Sequence, residues 1–293
     1  MSEPARSGVF GGTARRAEAL GARLPPLLVA AQRVAATVAQ GVHGRRRVGQ
    51  GDSFWQYRPF VAGDARARID GRASAKTDRA YVRETEWEAA QTVFLWRDAS
   101  PSMDWRSGAA VPFKRERAEL LLLALAALLL RGGERVRLIG GSPRVRGGRG
   151  ALENLAESLA EMPAGTGMPP EVPLPRHARI VLVGDFLSPL ESIRSAIGAM
   201  AAVPAQGHLL QVLDPAEALL PFTGRVRFQG MEAERDEVVS RVEGIRDGYA
   251  EALSRQLNGI SAVCTAAGWS FGTHRTDHPA EAALLGLFSA LSQ

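Results

Sequence analysis

Asp98, Ser100 and Ser102 stand at alternate positions just beyond the apolar run Thr92 to Trp96, in the stretch LWRDASPSMDW. One carboxylate and two hydroxyls in such a place could serve as a nucleophile, a phosphate cradle, a set of metal ligands or an ordinary polar turn. A second acidic loop, Gly184-Asp185-Phe186, closes the apolar run Ile180 to Val183, and the glycine-flanked Gly165-Thr166-Gly167 lies between the two in sequence. Carboxylates and hydroxyls are hard oxygen donors and together suit Mg²⁺ or Mn²⁺. Because Mg²⁺ keeps several waters, two direct hydroxyls with aspartates reaching through water make a reasonable ligand set. Asp214, directly before Pro215, reads as a turn former.

The competing chemistries have their own requirements. A serine nucleophile calls for a Gly-x-Ser-x-Gly elbow and a partner histidine, and neither accompanies Ser100 or Ser102. No Gly-Lys-Ser/Thr run follows a strand, so a Walker-type phosphate loop is absent. Phosphoryl transfer to Asp98 stays open, although Ser100 replaces the second acid that often follows such an aspartate. The only lysines, Lys76 and Lys114, have no evident placement to balance a phosphate. A polar turn in which Asp98 and the serines cap local amides also stays open.

The elements that must position these residues follow from periodicity. Apolar runs predict strands at Thr92–Trp96, Arg135–Ile139, Arg179–Gly184, His208–Leu213, Val226–Phe228 and Trp269–Thr273. Helices are predicted at Phe113–Leu130, Ala151–Glu161, Pro189–Met200, about Arg235–Ala267 and Pro279–Leu291, with a proline-rich link from Pro163 to Pro175. Strands alternating with helices imply crossover connections and a mainly parallel sheet covered on both faces. The expected fold is therefore α/β with a mainly parallel central sheet. In such sheets ligands gather outside the carboxyl ends of the strands, where the acidic loops fall. Upstream, an apolar stripe of Leu27, Leu28, Ala31, Val34, Ala35 and Val38 predicts a helix starting at Pro25 and ending near Gly41. Gly49 to Arg83 mixes Gly, Asp, Arg and aromatics without a sustained period and reads as an irregular segment tied down by specific contacts.

The 293 residues suffice to bury a sizeable core, and the composition is that of a soluble globular chain. The single Cys264 precludes an internal disulfide or a thiolate cluster; it reads as a buried thiol in a reducing compartment. The net charge of +5 comes almost wholly from arginine interleaved with acids, and aromatics for base stacking are few, so no nucleic-acid partner is expected. Arg45-Arg46-Arg47 reads as a solvated face, with an acidic partner as the alternative. The most apolar segment, Leu120 to Leu130, falls short of the ~20 residues of a membrane span. No apolar leader with a cleavage site is seen at the amino terminus, so a cytoplasmic location is expected.

Asp98-x-Ser100-x-Ser102 after an apolar strand resembles the first loop of the metal-ion-dependent adhesion site (MIDAS) of von Willebrand factor A domains. The segment from Tyr57 to Glu88, YRPFVAGDARARIDGRASAKTDRAYVRETEWE, resembles the signature of the bacterial domain-of-unknown-function-58 proteins. Matched positions are Gly63, Asp64, Arg68, Ile69, Asp70, Arg72, Ser74, Ala75 and Thr77, and VGDFLSP from Val183 to Pro189 resembles that family's second acidic loop. The usual Asp-Trp-Arg reads Asp70-Gly71-Arg72 here. Proline-rich Pro169 to Pro175 follows the Thr166 loop where related A domains carry a fuller helix.

The resemblance implies an amino-terminal extension over 1–88 and a Rossmann-like von Willebrand factor A-type domain over 89–293. It implies a non-enzymatic protein-interaction module, with Asp98, Ser100 and Ser102 holding Mg²⁺ or Mn²⁺, Asp185 acting through water, and Thr166 as a further ligand. It also implies partners among MoxR-type AAA+ ATPases and other A-domain proteins. Many such relatives begin with transmembrane helices, a feature not found in this sequence. The dense charges Arg58, Asp64, Arg66, Arg68, Asp70, Arg72 and Asp78 read as an ion-pair network, with a partner-binding surface as the alternative.

Overall fold

The computed structural model describes residues 27–39, 48–61, 69–75, 79–86, 91–141, 150–165, 167–231 and 235–291. The chain divides into two compact units, one of residues up to 40 together with those from 92 on, the other of residues 41–91.

In the larger unit, parallel strands β3 (Thr92–Arg97), β4 (Arg135–Leu138), β5 (Ala178–Gly184), β6 (Ala205–Leu213) and β9 (Ser270–Arg275) form one sheet in the order β4-β3-β5-β6-β9. The expected α/β architecture is thus present, and all five strands are parallel. From β3 the chain first builds β4 on one side, then crosses to build β5 on the other. The order reverses between β3 and β5, and that switch point opens a crevice at their carboxyl ends.

Helices cover both faces, so the strands are near-continuous apolar runs. Phe94, Trp96, Ile180, Leu182 and Leu209 pack with Ile193, Ile197 and Met200 of α5 (Leu190–Ala201) and Ile260, Val263 and Cys264 of α7 (Arg246–Ala266). The Cys264 thiol is buried, which pushes its pKa up to about 11, so it is a packing residue as expected. Strand alternation turns Val93, Leu95, Val181 and Val183 to the other side. There α3 (Lys114–Arg131) packs against α4 (Ala151–Ala160) and α8 (Ala280–Leu291). The Leu120–Leu130 run is buried almost all round because sheet and two helices enclose it. Among the described residues no helix is long and apolar enough to cross a membrane.

Helix α1, at 27–39, buries Ala31, Val34, Ala35 and Val38, the stripe expected from the sequence. The expected helix boundaries past Phe228 need correction. The long helix does not begin near Arg235: β8 (Glu237–Val239) pairs antiparallel with β7 (Val226–Phe228), a 3-10 turn follows at Val242–Ile245, and α7 starts only at Arg246. The β-branched pair Val238-Val239 favours the hairpin, and Gly244 does nothing to extend a helix through the turn. The short helix α6 (Pro215–Leu219) was not expected from the pattern.

In the smaller unit, Gly49 to Arg83 is not wholly irregular. β1 (Val48–Pro59) pairs antiparallel with β2 (Tyr81–Glu86), with register shifts between Gly49 and Phe54 and between Phe54 and Gln56. Those irregularities erase the period of two that a regular strand would print in the sequence. The signature segment there forms one helical turn, α2 (Gly71–Ser74). The Ser74 hydroxyl donates to the Asp70 carbonyl at 2.7 Å and accepts the Tyr81 amide at 2.9 Å. Asp64, Arg66, Arg68, Lys76, Asp78 and the Arg45–Arg47 cluster lie outside the described residues.

Candidate functional site at the sheet switch point

The β3 and β5 ends are held in register by the Asp98 amide, which donates to the Val183 carbonyl at 2.8 Å. Arg97, itself buried, donates to the Asp98 carbonyl at 2.9 Å and to Leu159 O at 3.3 Å, fixing the chain where it leaves the sheet. Asp98 Oδ1 then accepts the Ser100 amide at 2.8 Å, an Asx-type turn that directs the chain back over the strand end. A 3-10 turn, Pro101–Asp104, follows, anchored by the fully buried Met103. The two serines therefore point the same way. Ser100 Oγ lies 3.0 Å from Ser102 Oγ, and Ser102 Oγ donates to Asp185 Oδ2 at 2.6 Å.

Close backbone approach is what lets the two strand ends meet. A Cβ built on Gly184 would lie 2.7 Å from Asp98 Cβ and 2.9 Å from its Oδ2, so only glycine fits beside Asp98. The next turn is held against preference: Phe186 adopts a φ of 47°, a left-handed conformation disfavoured for a residue with a Cβ. Burial of its ring against Trp96, with centroids 6.0 Å apart, and Gln256 Nε2 donating to its carbonyl at 3.1 Å hold that turn. Gln211, fully buried on β6, donates to the Asp185 carbonyl at 2.6 Å. Asp185 is thereby presented from a braced loop.

The structure also places a residue that sequence reasoning set aside. Lys114, the first residue of α3, is fully buried, and its ammonium lies 2.9 Å from Asp185 Oδ2 and 2.5 Å from Glu217 Oε1. Burial opposes the charge on Lys114, but the carboxylates of Asp185 and Glu217 outweigh it and raise its pKa. Glu217 is pushed up by burial against the pull of the same ammonium. On α6, Glu217 Oε2 accepts the Asp214 amide at 2.9 Å while Asp214 Oδ1 accepts the Ala216 amide at 2.7 Å, a reciprocal cap. Asp214 also accepts the Ser107 amide at 2.9 Å, so it is a turn and cap residue, as its place before Pro215 suggested.

Asp98, Ser100, Ser102 and Asp185 are thus brought together. Thr166 lies outside the described residues, although its neighbours reach the site: the Gly165 amide donates to Ala99 O at 3.0 Å, and a Cβ on Gly167 would lie 3.7 Å from Ser100 Cβ. Among the described residues no group of three or more His, Cys, Asp or Glu side chains is placed to hold a metal ion. Any ion here would rest on hydroxyls as much as on carboxylates. The donor set fits one: ligands about 2.1 Å from an octahedral Mg²⁺ are about 3 Å apart along an edge, and the two serine oxygens stand at 3.0 Å. An open cleft of about 1110 Å³ begins at Ser102, Asp185 and Glu217 and is walled by aromatic side chains including Trp105, Phe222, Phe228 and Tyr249.

Comparison with known proteins gives a match over residues 56–258 to the family described as "Protein of unknown function DUF58". Uncharacterized proteins of Mycobacterium bovis and Mycobacterium tuberculosis are 27% identical over 258 residues, covering 82% of this chain and 80% of theirs. Among solved structures, the conserved hypothetical protein BatB from Bacteroides thetaiotaomicron aligns with a TM-score of 0.40 at 16% identity, covering 69% of this chain and 99% of that one. An aerotolerance-related membrane protein from Bacteroides fragilis aligns with a TM-score of 0.38, with the same identity and coverage.

Proposed function

The chain belongs to the DUF58 family of proteins of unknown function, and on that premise we propose that it is a non-enzymatic protein-interaction module whose switch-point crevice holds a divalent cation. The observation that carries this reading is the continuous row of oxygen donors, Ser100 Oγ to Ser102 Oγ at 3.0 Å and on to Asp185 Oδ2 at 2.6 Å, of which Ser102 and Asp185 line an open cleft. In this reading Ser100 and Ser102 ligate Mg²⁺ or Mn²⁺ directly, Asp98 and Asp185 hold it through water, and Thr166 is a further ligand. The ion would supply an open coordination position for a carboxylate of a partner protein, in the manner of a MIDAS. Partners suggested by the family resemblance are a MoxR-type AAA+ ATPase and other A-domain proteins, met in the cytoplasm.

Calorimetric titration with Mg²⁺ and Mn²⁺ on the wild type and on Asp98→Ala tests the reading. Saturable binding that the substitution weakens supports it. No binding by the wild type, together with a melting temperature that added metal leaves unchanged, would favour a structural adaptor that needs no ion, since any ligand of the folded state raises its stability.

A second reading, phosphoryl transfer to the Asp98 carboxylate, has one observation in its favour: a lysine ammonium does lie at the site. Against it, Asp98 is fully buried, and Lys114 is engaged by Asp185 and Glu217. Incubation with small phosphodonors followed by intact-mass measurement separates the two readings. A phosphoryl adduct lost in Asp98→Asn would establish the second.

A further inference from the structure

The Lys114 ammonium is fully buried, so its charge depends on the two carboxylates it touches. Asp185 Oδ2 receives both that ammonium and the Ser102 hydroxyl. The carboxylate on which a dication would draw is therefore already neutralised by a cation of the protein itself. The other carboxylate, Glu217, belongs to a different element. It caps α6, its carbonyl accepts the Tyr249 hydroxyl at 2.5 Å, and it lines the cleft. One buried ammonium thus joins the end of β5 to the cleft wall.

We propose that Lys114 is the resident counter-ion of the crevice, a positioning residue that competes with a divalent cation for Asp185 and shares its charge with Glu217. The inference rests on the metal reading above and adds what regulates that site. The physical basis is charge repulsion at short range in a poorly solvated place, where an ammonium and a dication on one carboxylate oppose each other strongly. Glu217 sets the balance. While it is charged it draws the ammonium toward α6; without its charge the ammonium falls wholly to Asp185.

Two variants and one titration test this, with Mn²⁺ as the probe on the full chain. Lys114→Met combined with Glu217→Gln removes one positive and one negative charge, so the buried charge balance is kept and Asp98, Ser100, Ser102 and Asp185 are untouched. It is expected to bind Mn²⁺ at least tenfold more tightly than the wild type. Glu217→Gln alone, which keeps the lysine, is expected to bind several-fold more weakly and serves as the test should the double variant not fold. Equal affinities for wild type and either variant overturn the inference while leaving the metal reading intact. Absence of Mn²⁺ binding in the wild type with binding in the double variant supports competition by Lys114 but overturns the reading that the wild-type crevice holds an ion. Absence in all three overturns the metal reading and the inference together.

Discussion

The Lys114 ammonium and Asp185 Oδ2 meet at 2.9 Å across a separation of 71 residues, both buried at the carboxyl end of the sheet. Removing one member of a buried ion pair costs about 3–5 kcal/mol, because the remaining charges are left without compensation. Lys114→Met alone should lower the unfolding free energy by about that amount in urea titration. A loss below about 1 kcal/mol would mean that the ammonium is not the counter-ion of Asp185.

Ser102 donates its hydroxyl to the same carboxylate oxygen at 2.6 Å. A hydrogen bond to a charged group contributes about 1.5–3 kcal/mol, and Lys114 remains to serve Asp185, so the low end applies. Ser102→Ala should cost about 1.5 kcal/mol of stability in metal-free buffer. An unchanged denaturation midpoint would contradict the placement of that hydroxyl.

Gly184 touches the site through the space it leaves. An added methyl at this position would press on Asp98 Cβ at 2.7 Å. Gly184→Ala should therefore cost about 1–3 kcal/mol by overpacking and displace the Asp98 carboxylate. Gly184→Ala should cost less in an Asp98→Gly background than in the wild type, since the clashing Cβ goes with the aspartate side chain. Equal costs of Gly184→Ala in the wild type and in Asp98→Gly would refute the contact.

Two buried histidines make the fold sensitive to acid. Burial lowers His208, whose Nδ1 lies 2.7 Å from Ser270 Oγ, to about 4. Burial, with Arg117 and His278 adding to it and Asp277 opposing, lowers His274 to about 4. The unfolded chain takes up these protons near pH 6.5, and the folded protein only near 4. Each histidine's contribution is complete above pH 6.5 and is lost as the pH falls toward 4, on the order of 3 kcal/mol apiece. His208→Gln should flatten the stability curve between pH 7 and 4.5 relative to wild type. A parallel curve would count against burial of a neutral imidazole.

The strands and most helices of the sheet were legible in the sequence because doubly covered strands such as Ile180 to Val183 read as unbroken apolar runs. Asp98, Ser100, Ser102 and Asp185 were legible for a related reason: in a parallel sheet, whatever directly follows such a run lies on one rim. Lys114 was not. It stands at a helix start, where a lysine normally meets water, and its partners are 71 and 103 residues away. Only the order of the strands brings them together, and that order is not written locally. The left-handed turn at Phe186 leaves no glycine to mark it. The bulged pairing of β1 with β2 and the β7–β8 hairpin escaped because irregular register and charged residues mask a period of two.

The proposed dication would rest on Ser100 and Ser102, in the crevice between the ends of β3 and β5. Anomalous diffraction from a crystal grown with Mn²⁺ tests it most directly. One anomalous peak is expected about 2.1 Å from both serine oxygens, with Asp98 and Asp185 in its outer sphere. A fully diffracting crystal with no peak between Ser100 and Ser102, at an ion concentration that saturates exposed sites elsewhere, would contradict it.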